Sequence, residues 1–198
     1  LYVDQGGFIF GAANCPDQGG GFERSFRELI KLMYPQGDAT LQPLTDEHLV
    51  FRSEYPLNGA DFDLHGVDVG CRTATMFSRD DLGCLWDKIE KPTPDGRSPA
   101  MVKRIDRDTR MGVNVIAYAT GREPPNKLEA DEGQPLAGEQ DRIEGGFLQI
   151  AKLKHTGGWD VAPRALKNLL MGLNQHVGQM ATTKDKVLTA ADPDLYKY

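Results

Sequence analysis

The chain has 198 residues, 23 basic and 29 acidic, with 39% hydrophobic content and a net charge of −6. That is ordinary folded-domain composition, long enough for one sizeable core or two small ones. It provides no basic field to gather nucleic acid or anionic lipid, and no run approaches the roughly 20 apolar residues of a membrane span.

Charge is uneven, since residues 122–145 hold seven acids against three bases. The three cysteines, Cys15, Cys71 and Cys84, include no Cys-x-x-Cys pair. A zinc knuckle or a disulfide framework is therefore disfavoured, while one disulfide plus a free thiol stays open. The chain opens at Leu1 with no signal-peptide pattern, and further sequence upstream is expected.

In chain order, Leu1–Gln5 reads as the tail of a helix stopped by Gly6-Gly7. Phe8–Ala13 is a short apolar run between turn residues, a buried strand. Asn14–Gly21 is a glycine-rich loop. Phe22, Phe26, Leu29, Ile30 and Met33 then recur at helical spacing with charges opposite, up to Pro35. Residues 36–70 read as irregular, with one helical turn at Thr45–His48. Asp61, Asp63 and His65 alternate and would imitate a metal site on a strand, but a solvated loop is the preferred reading and no metal is expected.

Thr73–Phe77 reads as a central strand, followed by the polar turn Ser78-Arg79-Asp80-Asp81 and one helical turn ending at Trp86. Pro92–Gly96 is a surface loop. Ser98-Pro99 starts a helix that runs to a glycine cap at Gly121. Residues 122–145, with Pro124, Pro125, Pro135 and repeated glycines, form an acidic linker. Beyond it come a strand at Phe147–Leu153, a turn at His155–Trp159, and a helix capped by Asp160 carrying Leu166, Leu169, Leu170, Leu173 and Val177. A second strand is expected within Gln179–Leu188. Strand, helix, strand is the opening of a doubly wound unit.

Five stretches carry a resemblance: Gly6–Cys15, Phe22–Leu29, Cys71–Trp86, Gly112–Gly121 and Lys154–Asp160. Together they resemble a bacterial family known as the domain of unknown function 4159 family. The resemblance implies a flavodoxin-like α/β sandwich similar to class I glutamine amidotransferases, with a mostly parallel sheet, and it implies no particular activity. It also implies an unusual order. Residues 1–121 correspond to the later part of one unit and 146–198 to the opening of another, as in a piece of a tandem protein. Similar proteins carry repeats or a membrane anchor upstream, which suggests an extracytoplasmic or membrane-associated parent.

The candidate site lies after the apolar strands, where doubly wound sheets keep their ligand crevice. Asn14, Arg24, Ser78, Asp80 and Trp159 are its expected ligand-binding residues. Ser78 or Asp80 also suits a cap on the short helix, Arg24 and Arg27 suit a solvated face, and Arg72 suits pairing with a carboxylate. Trp86 and Trp159 suit either ring stacking or core packing, and His48 and His176 read as surface residues. A nucleophile at Cys15 with His155 as base and Asp81 is the competing arrangement. Against it, Ala13-Asn14-Cys15-Pro16-Asp17 lacks the Gly-x-Cys-x-Gly elbow of the resembled enzymes, and Pro16 removes a backbone N–H that an oxyanion needs. The sequence therefore favours a non-enzymatic module binding a small molecule or a protein, with no cofactor. Association with another copy of the domain is a further expectation, and a cysteine hydrolase or amidotransferase is the alternative.

Overall fold

The computed structural model describes residues 2–13, 20–37, 39–89, 97–121, 148–177, 181 and 186–198. The expected Cys15 loop, the Pro92–Gly96 loop and the acidic linker fall outside these residues. The fold is mixed α/β. Its strands are β1 (Ile9–Ala12), β2 (Gln42–Pro43), β3 (Leu64–Val69), β4 (Arg72–Ser78), β5 (Ala151–Leu153) and β6 (Lys186–Leu188). Its helices are α1 (Gly21–Met33), α2 (Leu82–Trp86), α3 (Pro99–Ala119) and α4 (Ala165–Val177), with 3₁₀ turns at Leu49–Arg52, Gly59–Asp61 and Pro193–Lys197.

β4 is the centre of a four-stranded sheet ordered β1-β4-β3-β2. From Thr73 to Ser78 no residue of β4 is more than 3% exposed, so both faces are covered. Phe77, with Val67 of β3, packs against Phe26 and Ile30 of α1 on one face. Met76 packs with Leu82, Trp86, Met111, Val113, Leu169, Leu170 and Leu173 from α2, α3 and α4 on the other. Gly11 lets α1 approach β1, since a Cβ there would sit 2.8 Å from the Phe26 ring.

The parallel pairing is partial. β1 and β4 run parallel, as do β5 and β6, but β3 is antiparallel to both β4 and β2. β3 itself corrects the reading of 36–70 as irregular. Its glycine and polar residues obscure the strand, yet Gly66 is required because a Cβ would lie 2.6 Å from both Leu44 and Thr73 side chains. His65, expected in a solvated loop, is buried in β3. β3 and β4 are joined through Gly70-Cys71, with Gly70 at φ +63°.

The α3 signals act as read. Ser98 Oγ accepts from the Met101 N–H, Pro99 opens the first turn, and Gly121 takes φ +60° after the last. α1 buries Phe26 and Ile30 but leaves Leu29 42% exposed, because the sheet covers a narrower stripe than the apolar pattern offers. Residues 2–6 form turns rather than a helix tail. Nor does Asp160 cap α4, which begins five residues later. Asp160 instead takes the Lys152 ammonium at 2.5 Å, and Asp87 supplies the acceptor ahead of the helix, with its Oδ1 2.9 Å from the Arg164 N–H. Asn168 Nδ2 donates to the Trp86 carbonyl at 2.9 Å. α4 thus joins the core of the first 121 residues through apolar and polar contacts alike. Among the described residues no helix is long and apolar enough to cross a membrane.

Candidate functional site

β1 and β4 end side by side, with Ala12 opposite Ser78, and the Ala13 N–H closes the pair on the Ser78 carbonyl at 2.9 Å. Just beyond these ends an open cleft of about 450 Å³ lies against the start of α1. Among the described residues it is bordered by Ala13 and the end of β4 at Phe77, whose side chain is buried, by Gly20 just before α1 and Glu23 within it, and by the charged Arg79, Asp80, Asp81 and Arg104.

One wall is a closed ion-pair network. Arg79 grips Glu23 in bidentate fashion, Nε to Oε2 at 2.8 Å and Nη2 to Oε1 at 2.7 Å. Arg27 Nε also reaches Glu23 Oε1 at 2.8 Å, and Arg79 Nη1 lies 3.4 Å from Asp63 Oδ2. The Arg79 guanidinium, helped by Arg27, holds the Glu23 carboxyl down at about 2, while the hydrogen bond to Glu23 raises Arg79. Asp63 Oδ1 meets His65 Nε2 at 2.9 Å, and the Asp63 N–H donates to Asp80 Oδ2 at 2.8 Å.

The opposite wall is Arg104 on α3. Its Nε stands 3.8 Å from Oδ2 of Asp108, a carboxylate fully enclosed in the fold. Burial pushes the Asp108 carboxyl up, against the Arg107 hydrogen bond at 2.7 Å that pulls it down. Arg104 itself is half exposed.

Of the expected site residues, the fold brings Asp80 and Asp81 into this cleft. Ser78 lies beneath it, fully buried, its Oγ accepting from the Asp80 N–H at 3.1 Å. That bond shapes the turn and does not cap α2. Asp81 precedes α2 without a side-chain capping bond to it. His155 stacks on Phe22 of α1 at 5.6 Å between centroids, and Arg24 is exposed in the first turns of α1. Trp159 is half-buried under the Lys152 and Lys154 ammoniums at 5.3 and 5.7 Å. Asn14 and Cys15 lie outside the described residues. Trp86 is core, its Nε1 donating to the Asp108 carbonyl at 2.8 Å.

Two assignments change. Among the described residues Arg72 binds no carboxylate but the carbonyls of Val3, Gly6 and Gly7, tying the first turn to the sheet. His48 is half-buried and held at both ring nitrogens: Nδ1 accepts from the Val50 N–H at 3.1 Å, and Nε2 lies 3.0 Å from Thr73 Oγ1, which donates to Asp68. With Nδ1 an acceptor, the neutral ring carries its proton on Nε2 and cannot serve as base to Thr73. Among the described residues no cluster of three His, Cys, Asp or Glu is placed to hold an ion. Sequence reading missed Glu23, Arg79 and Arg104. The first two have a local signal in the i, i+4 Glu23–Arg27 pair and the Ser-Arg-Asp-Asp turn, while Arg104 has none.

These features define a mixed α/β domain with a charged, open cleft at the ends of a parallel strand pair. The chain belongs to the family described as domain of unknown function (DUF4159), whose model matches residues 1–120. No curated protein matches it.

Proposed function

We propose that this chain is a non-enzymatic ligand-binding module of a larger bacterial protein, with its site in the cleft between α1, the Arg79–Asp81 turn and Arg104. One observation carries the reading. Glu23, with its carboxyl at about 2, and Arg79, raised by the same pair, are locked in charged forms. Acid–base catalysis needs a group that changes charge near the working pH, whereas recognition is served by fixed charge.

The layers fit a flavodoxin-like sandwich similar to class I glutamine amidotransferases: α1 covers one face of the sheet, and α2, α3 and α4 the other. The parallel β5-α4-β6 crossover is in keeping with the opening of such a unit. Its place outside the family match agrees with a tandem arrangement. Cys84 is disulfide-bonded, which favours an oxidising, extracytoplasmic setting for the parent protein.

The cysteine-enzyme alternative asks His155 to take a proton from Cys15. His155 Nδ1 already accepts from the Gly157 N–H at 3.0 Å, so the neutral ring holds its proton on Nε2. That tautomer offers no lone pair to a thiol. The deciding experiment incubates the protein with L-glutamine and follows glutamate release, alongside nuclear magnetic resonance mapping of small-molecule binding. The binding reading expects perturbed signals at Phe77, Asp80 and Arg104 with no release. Steady glutamate production abolished by Cys15→Ser would overturn it.

A further inference from the structure

We propose that residues 45–53 form a lid that the neutral ring of His48 latches shut and that acid releases. The lid sits at the opposite end of β4 from the charged cleft. There it borders an open groove of about 380 Å³, lined in part by Glu47, Leu49, Asp68, Cys71 and Tyr118. Both of its ends are pinned. The Leu44 N–H donates to the Leu64 carbonyl of β3 at 2.8 Å. The buried Asn114 of α3 holds the other end: Oδ1 accepts the Glu54 and Tyr55 N–H groups at 3.2 and 2.8 Å, and Nδ2 donates to the Tyr55 carbonyl at 2.9 Å. Between the pins the backbone bonds close on the segment itself, His48 N–H to the Thr45 carbonyl and Phe51 N–H to the His48 carbonyl. Val50 and Phe51, on the underside, are fully buried.

His48 ties this segment to β4 and α3, through Thr73 Oγ1 at 3.0 Å and the Tyr118 ring at 5.2 Å between centroids. The tie suits only the neutral ring. Nδ1 accepts from the Val50 N–H and so caps the 3₁₀ turn at Leu49–Arg52. Protonation places an N–H on Nδ1, two donors then face each other, and the cap is lost. Burial holds the ring below its ordinary 6.5, with Asp68 pulling the other way. Of the other charged or titratable groups around it, Arg72 is spent on the carbonyls of Val3, Gly6 and Gly7, and the Tyr118 hydroxyl accepts from the Thr73 N–H. Arg52 donates to the Glu47 carbonyl, and Asp46, Glu47 and Cys71 are exposed. A base held low in the closed form favours closure above pH 6.5 and loosens it as pH falls through that value.

The test is amide hydrogen exchange of the intact chain between pH 7.5 and 5.5, read by nuclear magnetic resonance as protection factors. A lid predicts that Val50 and Phe51 are less protected than Met76 and Phe77 of β4 at every pH, and that their protection is insensitive to low urea. It should fall severalfold, and at most about tenfold, from pH 7.5 to 5.5. His48→Asn supplies a cap acceptor that does not titrate, so protection at Val50 and Phe51 in this variant should not change with pH. The unaltered chain decides the matter even if the variant fails to fold. Protection at Val50 and Phe51 equal to that of β4, protection independent of pH, or the same decline in His48→Asn overturns the proposal.

Discussion

Replacing Asp87 with alanine tests whether the stretch after the acidic segment is part of the same folded body. Asp87 is 8% exposed and accepts the Arg164 N–H at 2.9 Å, Nε at 3.5 Å and Nη2 at 3.2 Å. The variant strips the acceptor from a backbone N–H just ahead of α4, a loss of about 1–3 kcal/mol. The Arg164 side chain is 44% exposed, so its ion pair adds at most about 1 kcal/mol. The total is about 1–4 kcal/mol, a fall in Tm of roughly 2–16 °C for a chain of this length. Urea unfolding followed by both tryptophan fluorescence and far-ultraviolet circular dichroism reads it. A single transition at lower urea is expected, and Asp87→Asn, which keeps an acceptor oxygen, should lose less. The reasoning is refuted if Asp87→Ala unfolds with the unaltered protein, or if the chain shows two independent transitions.

Other consequences arise from the same packing and charges. Gly112 on α3 lies where a Cβ would be 2.7 Å from both Leu169 and the Trp86 ring, so Gly112→Ala should cost about 1–3 kcal/mol in urea unfolding despite its better helix propensity. Glu23, an acid held below its ordinary 4.5 at about 2, contributes stability that is fully present above pH 4.5 and lost as pH falls towards 2. Glu23→Gln should flatten the acid limb of the stability curve in that window. His48 is a base lowered by burial, so its contribution is intact above pH 6.5 and declines below it, and His48→Asn should remove that decline. Cys71 is free and exposed while Cys84 is disulfide-bonded, so an aromatic disulfide reagent should label Cys71 before reduction and Cys84 only after it.

Sequence alone determined the elements whose signals are local. Ser98-Pro99 and Gly121 bracket α3, the four-residue recurrence of Phe22, Phe26 and Ile30 makes α1, and the apolar run at Thr73–Phe77 makes β4. The Ser-Arg-Asp-Asp turn also pointed to the end of the sheet where the cleft lies, because a polar turn directly after a buried strand marks that strand's carboxyl end. Tertiary structure decided the rest. β3 defies its own composition: Gly66 and His65 are poor strand signals, and only the close approach of Leu44 and Thr73 makes that glycine necessary. Arg104 reaches the cleft from a helix more than twenty residues beyond the turn it faces, a placement that burial of Met111 and Val113 imposes and no spacing encodes. The start of α4 belongs to Asp87, 77 residues upstream, and not to nearby Asp160. A helix N-terminus takes whichever acceptor packing delivers to it, because an enclosed N–H without a partner costs more than the local alternative gains.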